Sequence, residues 1–409
     1  MNSSLELASE ARCRATCGPE ANLWPLPHSL EMGGARAAEF SPDLVIKNIG
    51  APTQAVEEWV SDAIDFQLEK LTRVNQGRYS KTSSLQSVIT VEVKTDVLDI
   101  DIDTKEDYEL SVSCDQNSNN VKIVSETYVG ARHAIETLFQ MIHFDSFNLS
   151  FLVSCDVTNS DGPHFRHRGV MLDTARNFVS VGMIKTLIDS MSYSKMNVFH
   201  WHITDSQSFP LYLDSLPAFA EFGAYRPEMT YNKWDVEDIV RYAARRGVRV
   251  LPELDSPAHV GAGWEAVDPS FTLCVNREPW EDWCVEPPCG QLNPTKSGMF
   301  DVLEAIFTEM LGMFGVKQFH MGGDEIHLGC WNSSEDVVTW LQDHGRGRDE
   351  ADFMFLWSSF LQESVKRIQK VGMTPNLIYW TNGLTKPEHI SYLDPNLFSI
   401  QIWSNGQVS

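Results

Sequence analysis

The sequence lacks the signatures of several common protein classes. It contains no Cys-x-x-Cys pair, so thioredoxin-type redox sites and zinc ribbons have no anchor in it. No GxGxxG or GxxxxGK[ST] motif follows a predicted strand, which removes the usual signals for dinucleotide and P-loop nucleotide binding. No stretch approaches the roughly 20 apolar residues that a membrane-spanning helix needs. Internal repeats and biased tracts are also absent.

Basic residues are scarce, because 32 Lys and Arg stand against 56 Asp and Glu, a formal net charge of −24. A chain this acidic is repelled by phosphate backbones and anionic membranes, so nucleic acid is not expected as a partner. The hydrophobic content of 43% is typical of a globular protein. A length of 409 residues allows two or three domains, or one large α/β barrel with an additional domain.

No signal peptide is visible, since the first residues contain no apolar h-region. Other features nevertheless favour export. The eight cysteines form an even set, and N-glycosylation sequons begin at Asn2, Asn148 and Asn332. We therefore expect a secreted or lysosomal glycoprotein with disulfide bonds.

The hydrophobic pattern predicts two domains after a loop-like tail at residues 1–30. In the segment 31–164, residues 88–102 alternate apolar and polar side chains, as a pair of half-buried strands would. Thr127–Ile142 has apolar residues at helical spacing. We predict a small α+β domain here, with a polar connection at 145–164.

From residue 165 to 409, short apolar strands alternate with longer amphipathic helices, which predicts a parallel sheet. The six predicted strands are 168–173, 197–202, 248–254, 316–323, 376–380 and 398–403, and the main helices are 181–194, 235–247 and 299–315. Polar and aromatic side chains accumulate at the strand ends: Asp173, His202, Glu253, Asp324, Glu325, Trp380 and Trp403. A closed barrel gathers such ends at one mouth, whereas a doubly wound sheet gathers polar groups at its switch point. The pattern therefore favours a (β/α)8 TIM-type barrel.

Two adjacent carboxylates, Asp324 and Glu325, form the strongest candidate site. They follow His-Met-Gly-Gly at a predicted strand end, and the two glycines favour a close approach of substrate to the backbone. Like charges so close together raise one pKa, which suits a general acid that stays protonated near neutral pH. A solvated acidic turn is the structural alternative.

Histidines supply a second set of candidates. His200 and His202 share one face of a strand, an arrangement typical of a metal site but also of one core and one supporting histidine. His259 follows the third strand and, like most single histidines, could be structural. Together with Asp205 and Glu325 it could instead form an Asp–His–Glu relay that tunes the acid.

Three further residues suit a sugar ligand. Arg176, close to Asp173, is either half of an ion pair or a two-pronged clamp on adjacent sugar hydroxyls. Trp380 and Trp403 are core residues in the simpler interpretation, but two indoles at one mouth would form a wall against an apolar sugar face. Tyr379 should point the opposite way, into packing, because side chains alternate along a strand.

At these residues the sequence resembles glycoside hydrolase family 20, the β-N-acetylhexosaminidases. The resemblance covers about residues 10–405 and rests on HRGVMLDTARNF, NVFHWHITDSQSFP, VLPELDSPAHVGAGW and FHMGGDE. The opening CRATCGPEANLWPLP and the loop CVNREPWEDWCVEPPCGQLNPT are similar to the arthropod chitooligosaccharide-cleaving branch. The resemblance implies an eight-stranded barrel. Since six strands are counted, we expect an incomplete barrel and a chain truncated at its C-terminus.

The resemblance implies removal of terminal non-reducing GlcNAc or GalNAc by substrate-assisted, retaining hydrolysis. The 2-acetamido oxygen of the substrate attacks the anomeric carbon. By the same resemblance Asp324 orients and stabilises the acetamido nitrogen, while Glu325 protonates the leaving oxygen and then activates water. Asp205 and His259 match the relay to this acid, and Arg176 matches the clamp on the ring hydroxyls.

The resemblance also implies the roles of residues that surround the substrate. Trp380 and Trp403 match two walls of the acetamido pocket. Val285 and Glu286 are hypothesised to contact the leaving-group sugar, because their loop follows the third strand and should overhang the mouth. From their positions we expect the disulfides Cys284–Cys289 and Cys274–Cys330.

The expected partner is an oligosaccharide with a terminal β-linked N-acetylhexosamine, with no metal or other cofactor, and a homodimer is left open. Two other functions are weighed against this one. A metal-dependent amidohydrolase-type barrel would bind zinc through His200, His202, His259 and Asp324, although its HxH pair usually lies on the first strand and not on the second. An inactive, truncated form that only binds sugar is the other alternative.

Overall fold

In a computed structural model of the chain, the described residues are 10–16, 23–33, 36–74, 78–79, 85–315, 317–372 and 376–403. They divide into two compact units. The first contains the described residues within Met1–Arg168, Leu187–Asn197 and Tyr242–Arg249, and the second contains those within Gly169–Thr186, Val198–Arg241 and Val250–Ser409. The domain boundaries proposed after residues 30 and 164 stay predictions. The sequon at Asn2 lies outside the described residues.

The first unit contains a six-stranded and a three-stranded sheet. Its strands are β1 (Ser29–Met32), β2 (Ala37–Phe40), β3 (Val45–Gly50), β4 (Gln86–Val93), β5 (Tyr108–Cys114), β6 (Ser118–Ser125), β7 (Ile142–Asp145), β8 (Ser150–Ser154) and β9 (Val157–Asp161). Its helices include α1 (Glu10–Thr16), α2 (Gln54–Val74) and α3 (Tyr128–Gln140). The strand order is β1-β9-β5-β6-β4-β3 in the large sheet and β2-β8-β7 in the small one. This is the predicted α+β fold.

The two long helices of this unit form for different reasons: α2 buries one apolar face, while α3 is buried on all sides and has a suitable cap. In α2, Val56, Val60 and Ile64 recur every four residues and are fully buried in the core. Helix α3 begins after Thr127, whose hydroxyl oxygen accepts a hydrogen bond from the backbone N–H of Gly130 at 3.5 Å. The helix predicted from the apolar spacing in this region is confirmed.

The prediction of a strand pair at 88–102 is half wrong. Strand β4 ends at Val93, and the described residues from 94 to 102 form no second strand. Leu98 and Ile100 still contact the core, which explains the alternating pattern. The backbone instead makes a local turn at 101–104, where the Asp101 carboxylate accepts a hydrogen bond from the backbone N–H of Asp103. Such local bonds compete with a sheet ladder.

Two other expectations for this region are also corrected. The segment 145–164 is not a polar connection, because it holds β8 and β9. In β9, the exposed Thr158 and Ser160 alternate with the buried Val157 and Asn159. Residues 10–16 form a short helix where a loop was expected. A disulfide that the sequence did not predict joins Cys114 to Cys155, across 41 residues.

After Gly169, strands and helices alternate along the chain. The strands are β10 (Gly169–Asp173), β11 (Val198–Thr204), β12 (Arg249–Leu254), β13 (Thr272–Leu273), β14 (Gln291–Leu292), β15 (Gln318–His320), β16 (Asn376–Trp380) and β17 (Phe398–Gln401). The helices are α4 (Val181–Tyr193), α5 (Ala218–Gly223), α6 (Lys233–Ala244), α7 (Trp264–Val267), α8 (Ser297–Phe314), α9 (Leu328–Asn332), α10 (Glu335–Asp343) and α11 (Glu350–Lys370).

Six of these strands form one sheet in the order β10-β11-β12-β15-β16-β17, and their registered pairs run parallel. All six predicted barrel strands and the three predicted helices are present, with ends shifted by a few residues. The fold class is confirmed as an incomplete TIM-type barrel of six parallel strands. None of the described helices has the length and apolar character needed to cross a bilayer.

Side chains alternate along the barrel strands, and one face becomes polar toward the strand ends. Val198, Leu251 and Ile378 form a small apolar cluster on this face. Two residues further along the same three strands, the face carries polar or aromatic side chains: His200, Glu253 and Trp380. The opposite face packs on helices. Tyr379 is buried there, and its hydroxyl accepts a hydrogen bond from Trp357 Nε1 at 2.7 Å, as expected from the alternation.

Candidate active site

The two candidate carboxylates lie in the irregular segment that follows β15. Asp324 and Glu325 are both partly buried. Glu325 has a φ of 54°, a left-handed conformation that side chains with a Cβ rarely adopt and that concentrates at functional sites. The backbone therefore holds this carboxylate in a specific direction, at a cost that the surrounding structure compensates.

The glycine pair before the carboxylates is required by packing. Gly322 and Gly323 have φ values of 63° and 90°, and a Cβ on either would collide with the protein itself, at the Asp255 carboxylate or at the Tyr379 ring. That these glycines also admit substrate to the backbone stays a prediction. Their function is to let two side chains support the segment that carries the carboxylates.

A continuous set of contacts joins three of the predicted residues. His259 Nδ1 lies 3.3 Å from Asp205 Oδ2, and His259 Nε2 lies 3.3 Å from Glu325 Oε2. His259 also has a positive φ, of 57°. Burial lowers the pKa of His259, but the carboxylates of Asp255, Asp205 and Glu325 outweigh burial and raise the pKa well above its ordinary value. These contacts on both ring nitrogens favour the protonated form of His259.

Arg176 is held by carboxylates on three sides. Its Nη1 lies 2.6 Å from Asp173 Oδ2 and 2.8 Å from Asp205 Oδ2, while its Nη2 lies 2.8 Å from Glu286 Oε2. Burial raises the pKa of Asp173, but its contacts with His202 and Arg176 outweigh burial and hold that pKa well below its ordinary value. The guanidinium is therefore oriented before any ligand arrives.

The loop that carries Glu286 reaches the strand ends, since Glu286 contacts Arg176. Two disulfides hold it, Cys274–Cys330 and Cys284–Cys289, and both were expected from sequence position. Val285 is 48% exposed, which leaves its side chain available for contact. The loop thus brings one apolar and one acidic side chain to this end of the sheet.

Asp255 is a buried residue of the site to which the sequence analysis assigned no role. It accepts a hydrogen bond from the backbone N–H of Gly323 at 2.8 Å and is hydrogen-bonded to the Asp324 carboxyl. Burial, and after it the charge of Asp255, raise the pKa of Asp324 to about 9. The carboxyl with the raised pKa is therefore Asp324, and Asp255 is the neighbour that raises it. A signal was available, because Asp255 stands two residues after Glu253 on the same strand face.

The two predicted tryptophans differ in exposure. Trp380 is 6% exposed, its Nε1 donates a hydrogen bond to Glu253 Oε1 at 2.8 Å, and its ring centroid lies 4.5 Å from that of His320. Trp403 is 52% exposed and lies beyond the end of β17, with its Nε1 donating to the carbonyl of Thr381 at 2.8 Å. Trp380 thus belongs to the buried polar side chains at the strand ends, and Trp403 lies at their solvent-exposed edge.

The four residues of the zinc alternative do not form one group. Among the described residues, His202 clusters with Glu253 and Asp255, while His259 and Asp324 cluster with Asp255. His200 is in a third cluster, where its Nε2 lies 2.6 Å from Glu253 Oε2. The other oxygen of Glu253 accepts the Trp380 hydrogen bond, so these side chains satisfy one another. The geometry therefore does not favour the amidohydrolase-type site.

Comparison with known families separates the glycosidase from the metal-dependent barrel. A family profile described as "Glycosyl hydrolase family 20, catalytic domain" matches residues 165–409, and one described as "beta-acetyl hexosaminidase like" matches residues 23–141. The chain belongs to glycoside hydrolase family 20. The resemblance inferred from the motifs is thereby confirmed, and membership of this family does not favour the metal-dependent barrel.

Two insect relatives within family 20 are named chitooligosaccharidolytic β-N-acetylglucosaminidases. The relative from Bombyx mori is 39% identical and the one from Ostrinia furnacalis 37% identical, each over 96% of this chain and 67% of its own length. Among solved structures, the Flavobacterium johnsoniae chitobiase matches with a TM-score of 0.73 at 23% identity, over 95% of this chain and 56% of that one. A Vibrio harveyi exo-β-N-acetylglucosaminidase matches equally well, over 97% and 58%. The chain therefore spans about two thirds of the curated relatives and somewhat more than half of the solved ones.

Proposed function

We propose that this family 20 chain is a β-N-acetylhexosaminidase that removes terminal non-reducing GlcNAc or GalNAc from chitooligosaccharides or glycoconjugates. The observation that supports this most directly is the set of contacts from Asp205 through His259 to Glu325, with Asp324 beside it. The names of the two insect relatives support chitooligosaccharides as the substrate class.

In the first step the substrate supplies its own nucleophile. The 2-acetamido oxygen bonds to the anomeric carbon and forms an oxazolinium ion as the glycosidic bond breaks, and Glu325 gives its proton to the leaving oxygen. Asp324 orients the acetamido nitrogen. The Asp324 carboxylate accepts a hydrogen bond from the acetamido N–H, and this contact strengthens as positive charge develops on the ligand.

In the second step water replaces the acetamido oxygen at the anomeric carbon. The Glu325 carboxylate takes a proton from this water, and attack on the oxazolinium restores the original configuration. The imidazolium of His259 stabilises the carboxylate between the two steps, and Asp205 keeps the imidazolium oriented. Adjacent residues can serve nucleophile and leaving group because these occupy neighbouring positions on one sugar ring.

Binding is assigned to the residues around the catalytic pair. Arg176 would exchange its contact with Glu286 for the ring hydroxyls of the terminal sugar, since Asp173 and Asp205 already orient its guanidinium. Trp380 and Trp403 would form walls of the acetamido pocket. Val285 and Glu286 would contact the leaving-group sugar, and no cofactor takes part.

The proposed location is secreted or lysosomal. Three disulfides join described residues, at 114–155, 274–330 and 284–289. Such bonds persist in oxidising compartments and are rare in the cytosol, which supports this location. A homodimer stays a prediction.

The test is hydrolysis of a chromogenic β-N-acetylglucosaminide by this chain and by Glu325→Gln. Loss of the general acid should lower kcat by roughly 10²- to 10⁴-fold, with the circular dichroism spectrum unchanged. Glu335→Gln, at an exposed position in the first turn of α10, is the matched control and should retain full activity. Hydrolysis that Glu325→Gln leaves unchanged contradicts the mechanism. A parent chain that binds GlcNAc without any hydrolysis supports the inactive sugar-binding form instead.

A further inference from the structure

His202 is a buried residue at the carboxyl end of β11 for which the proposed reaction has no role. Its Nδ1 lies 3.5 Å from Asp173 Oδ2, and its Nε2 lies 3.6 Å from Asp205 Oδ2 and 3.8 Å from Asp255 Oδ2. A neutral imidazole has one nitrogen that repels a carboxylate, whereas an imidazolium presents a proton on both. Carboxylates on both sides of the ring therefore suit its charged form.

The three aspartates around His202 belong to three different parts of the site. Asp173 lies 2.6 Å from Arg176, Asp205 lies 3.3 Å from His259, and Asp255 is hydrogen-bonded to Asp324. His202 is thus the one described side chain in ion-pair distance of all three aspartates. A displacement of its ring would therefore disturb Arg176, His259 and Asp324 at the same time, each through its aspartate.

The charges around the ring favour a cation at this position. The titratable and charged groups that face it from the surrounding elements are Asp173, Arg176, His200, Asp205, Glu253 and Asp255. Arg176 opposes a second positive charge, since its Nη1 lies 3.5 Å from His202 Nδ1. Burial also lowers the pKa of His202, but the four carboxylates outweigh burial and raise that pKa well above its ordinary value.

We propose that His202 is a positioning residue. As a buried imidazolium it holds three aspartates in one arrangement: Asp173 beside Arg176, Asp205 beside His259, and Asp255 beside Asp324. Its effect on catalysis rests on the proposed function. The charge of His202 and its contacts with the three aspartates do not rest on that function, so they can be tested without measuring turnover.

The first test is a titration of the ¹⁵N-labelled full chain by NMR, with the ring signals of His202 assigned by their loss in His202→Gln. The ring should remain an imidazolium from pH 5 to pH 8, with both nitrogens protonated. The exposed His344, which directly follows α10, supplies the reference signals in the same spectra. A His202 ring that loses its proton below pH 7 overturns the proposal, whatever the activity of the chain.

The second test compares His202→Gln, which is neutral, with His202→Lys, which keeps a positive charge. We expect His202→Gln to lower kcat/KM for the chromogenic substrate about tenfold or more, and to narrow the pH range of activity. His202→Lys should recover part of the loss, which a purely steric role would not allow. His344→Gln is the matched control and should be unchanged.

Activity and charge together separate this role from the proposed function. If the parent chain does not hydrolyse the substrate, the proposed function fails and the NMR titration alone decides the role of His202. If the parent is active and His202→Gln keeps its kcat/KM and pH profile, His202 has no positioning role. Where His202→Gln does not fold, the titration of the parent chain, with signals assigned through the lysine variant, still confirms or overturns the charge.

Discussion

Two clusters of buried charge, one in each unit, follow different rules. The first-unit cluster consists of Glu106, His133, Asp161, Arg168 and Lys195, and each of its carboxylates contacts at least one cationic side chain at hydrogen-bond distance. The mouth cluster consists of Asp173, Arg176, His202, Asp205 and Asp255, in which carboxylates outnumber the permanent cation. Buried charges in protein cores are usually paired, as in the first-unit cluster, whereas the mouth cluster has an excess of carboxylates.

In the first-unit cluster, every carboxylate oxygen has a hydrogen-bond donor, and among these described residues the buried atom left without a partner is His133 Nδ1. Glu106 Oε1 accepts a hydrogen bond from Asn197 at 2.7 Å, and Oε2 contacts both Arg168 and His133. Burial raises the pKa of Glu106, but its contacts with His133 and Arg168 outweigh burial and lower that pKa to about 2. A buried charge costs little when all its hydrogen-bonding positions are filled.

The mouth cluster leaves polar atoms without a hydrogen bond. Within the part of the chain that the structure describes, Arg176 Nε is buried and has no hydrogen-bond partner, and the same holds for Oδ1 of Asp324, the neighbour of Asp255 outside the cluster. Unsatisfied groups and strongly shifted pKa values are costly, and they concentrate where a ligand completes the arrangement. The first cluster therefore has the paired arrangement expected of a stabilising group, while the second has the unpaired arrangement expected if it serves the proposed binding and catalysis.

The largest expected effect on this comparison comes from Glu106→Leu. The change leaves Arg168 and Asn197 without their buried acceptor, so the free energy of unfolding should fall by about 3–5 kcal/mol in urea titrations. The control is Asp103→Ala, which removes an exposed ion pair with Arg166 and should cost less than about 1 kcal/mol. A loss for Glu106→Leu as small as that of the control would break the comparison.

Acid should weaken the first-unit cluster next. The pKa of Glu106 is lowered to about 2, so its stabilisation is present above its ordinary value of 4.5 and is lost as pH falls toward 2. Burial lowers the pKa of His133 to about 4, so the unfolded chain takes up a proton first as pH falls from 6.5 to 4. Both groups therefore lose stabilisation on acidification, by roughly 3 kcal/mol each at most.

Urea midpoints at pH 7, 5.5 and 4 measure this loss, and Glu106→Gln should flatten the profile. The mouth histidines have raised pKa values, so their contribution is present at low pH and is lost as pH rises through the folded pKa. The mouth histidines act in the opposite direction in both chains, so the difference in stability between the parent and Glu106→Gln is the quantity to compare. A difference that does not shrink between pH 5.5 and pH 4 would contradict the assignment.

The smallest expected effect concerns the double change Val285→Ala and Glu286→Gln. The free energy of unfolding should change by less than about 1 kcal/mol, because both side chains are exposed or half-exposed. Cleavage of chitotriose should fall about threefold to tenfold in kcat/KM, the value of one or two lost contacts. The aryl glycoside, whose leaving group is not a sugar, serves as the control and should change less. Unchanged chitotriose cleavage would show that Val285 and Glu286 do not contribute to substrate binding.

The parts of the site that could be predicted are those encoded by local pattern. Alternating strands and helices predicted the barrel, and polar residues at strand ends predicted Asp205, His259 and Glu325 as neighbours. The parts that failed depend on partners distant in the chain. Asp255 needed its contact with Gly323 to become visible, and 88–102 kept a strand-like pattern because its alternate residues contact the core without a ladder.

The sequence by itself determined the fold class and which strand ends carry polar side chains, because period-two and helical spacing depend only on neighbouring residues. Only the tertiary structure decided how those side chains share charge. Asp324 is beside Asp255 and His202 is beside three aspartates because strands far apart in the chain meet at one edge of the sheet. Electrostatic interactions depend on distances in space, and no local pattern contains them.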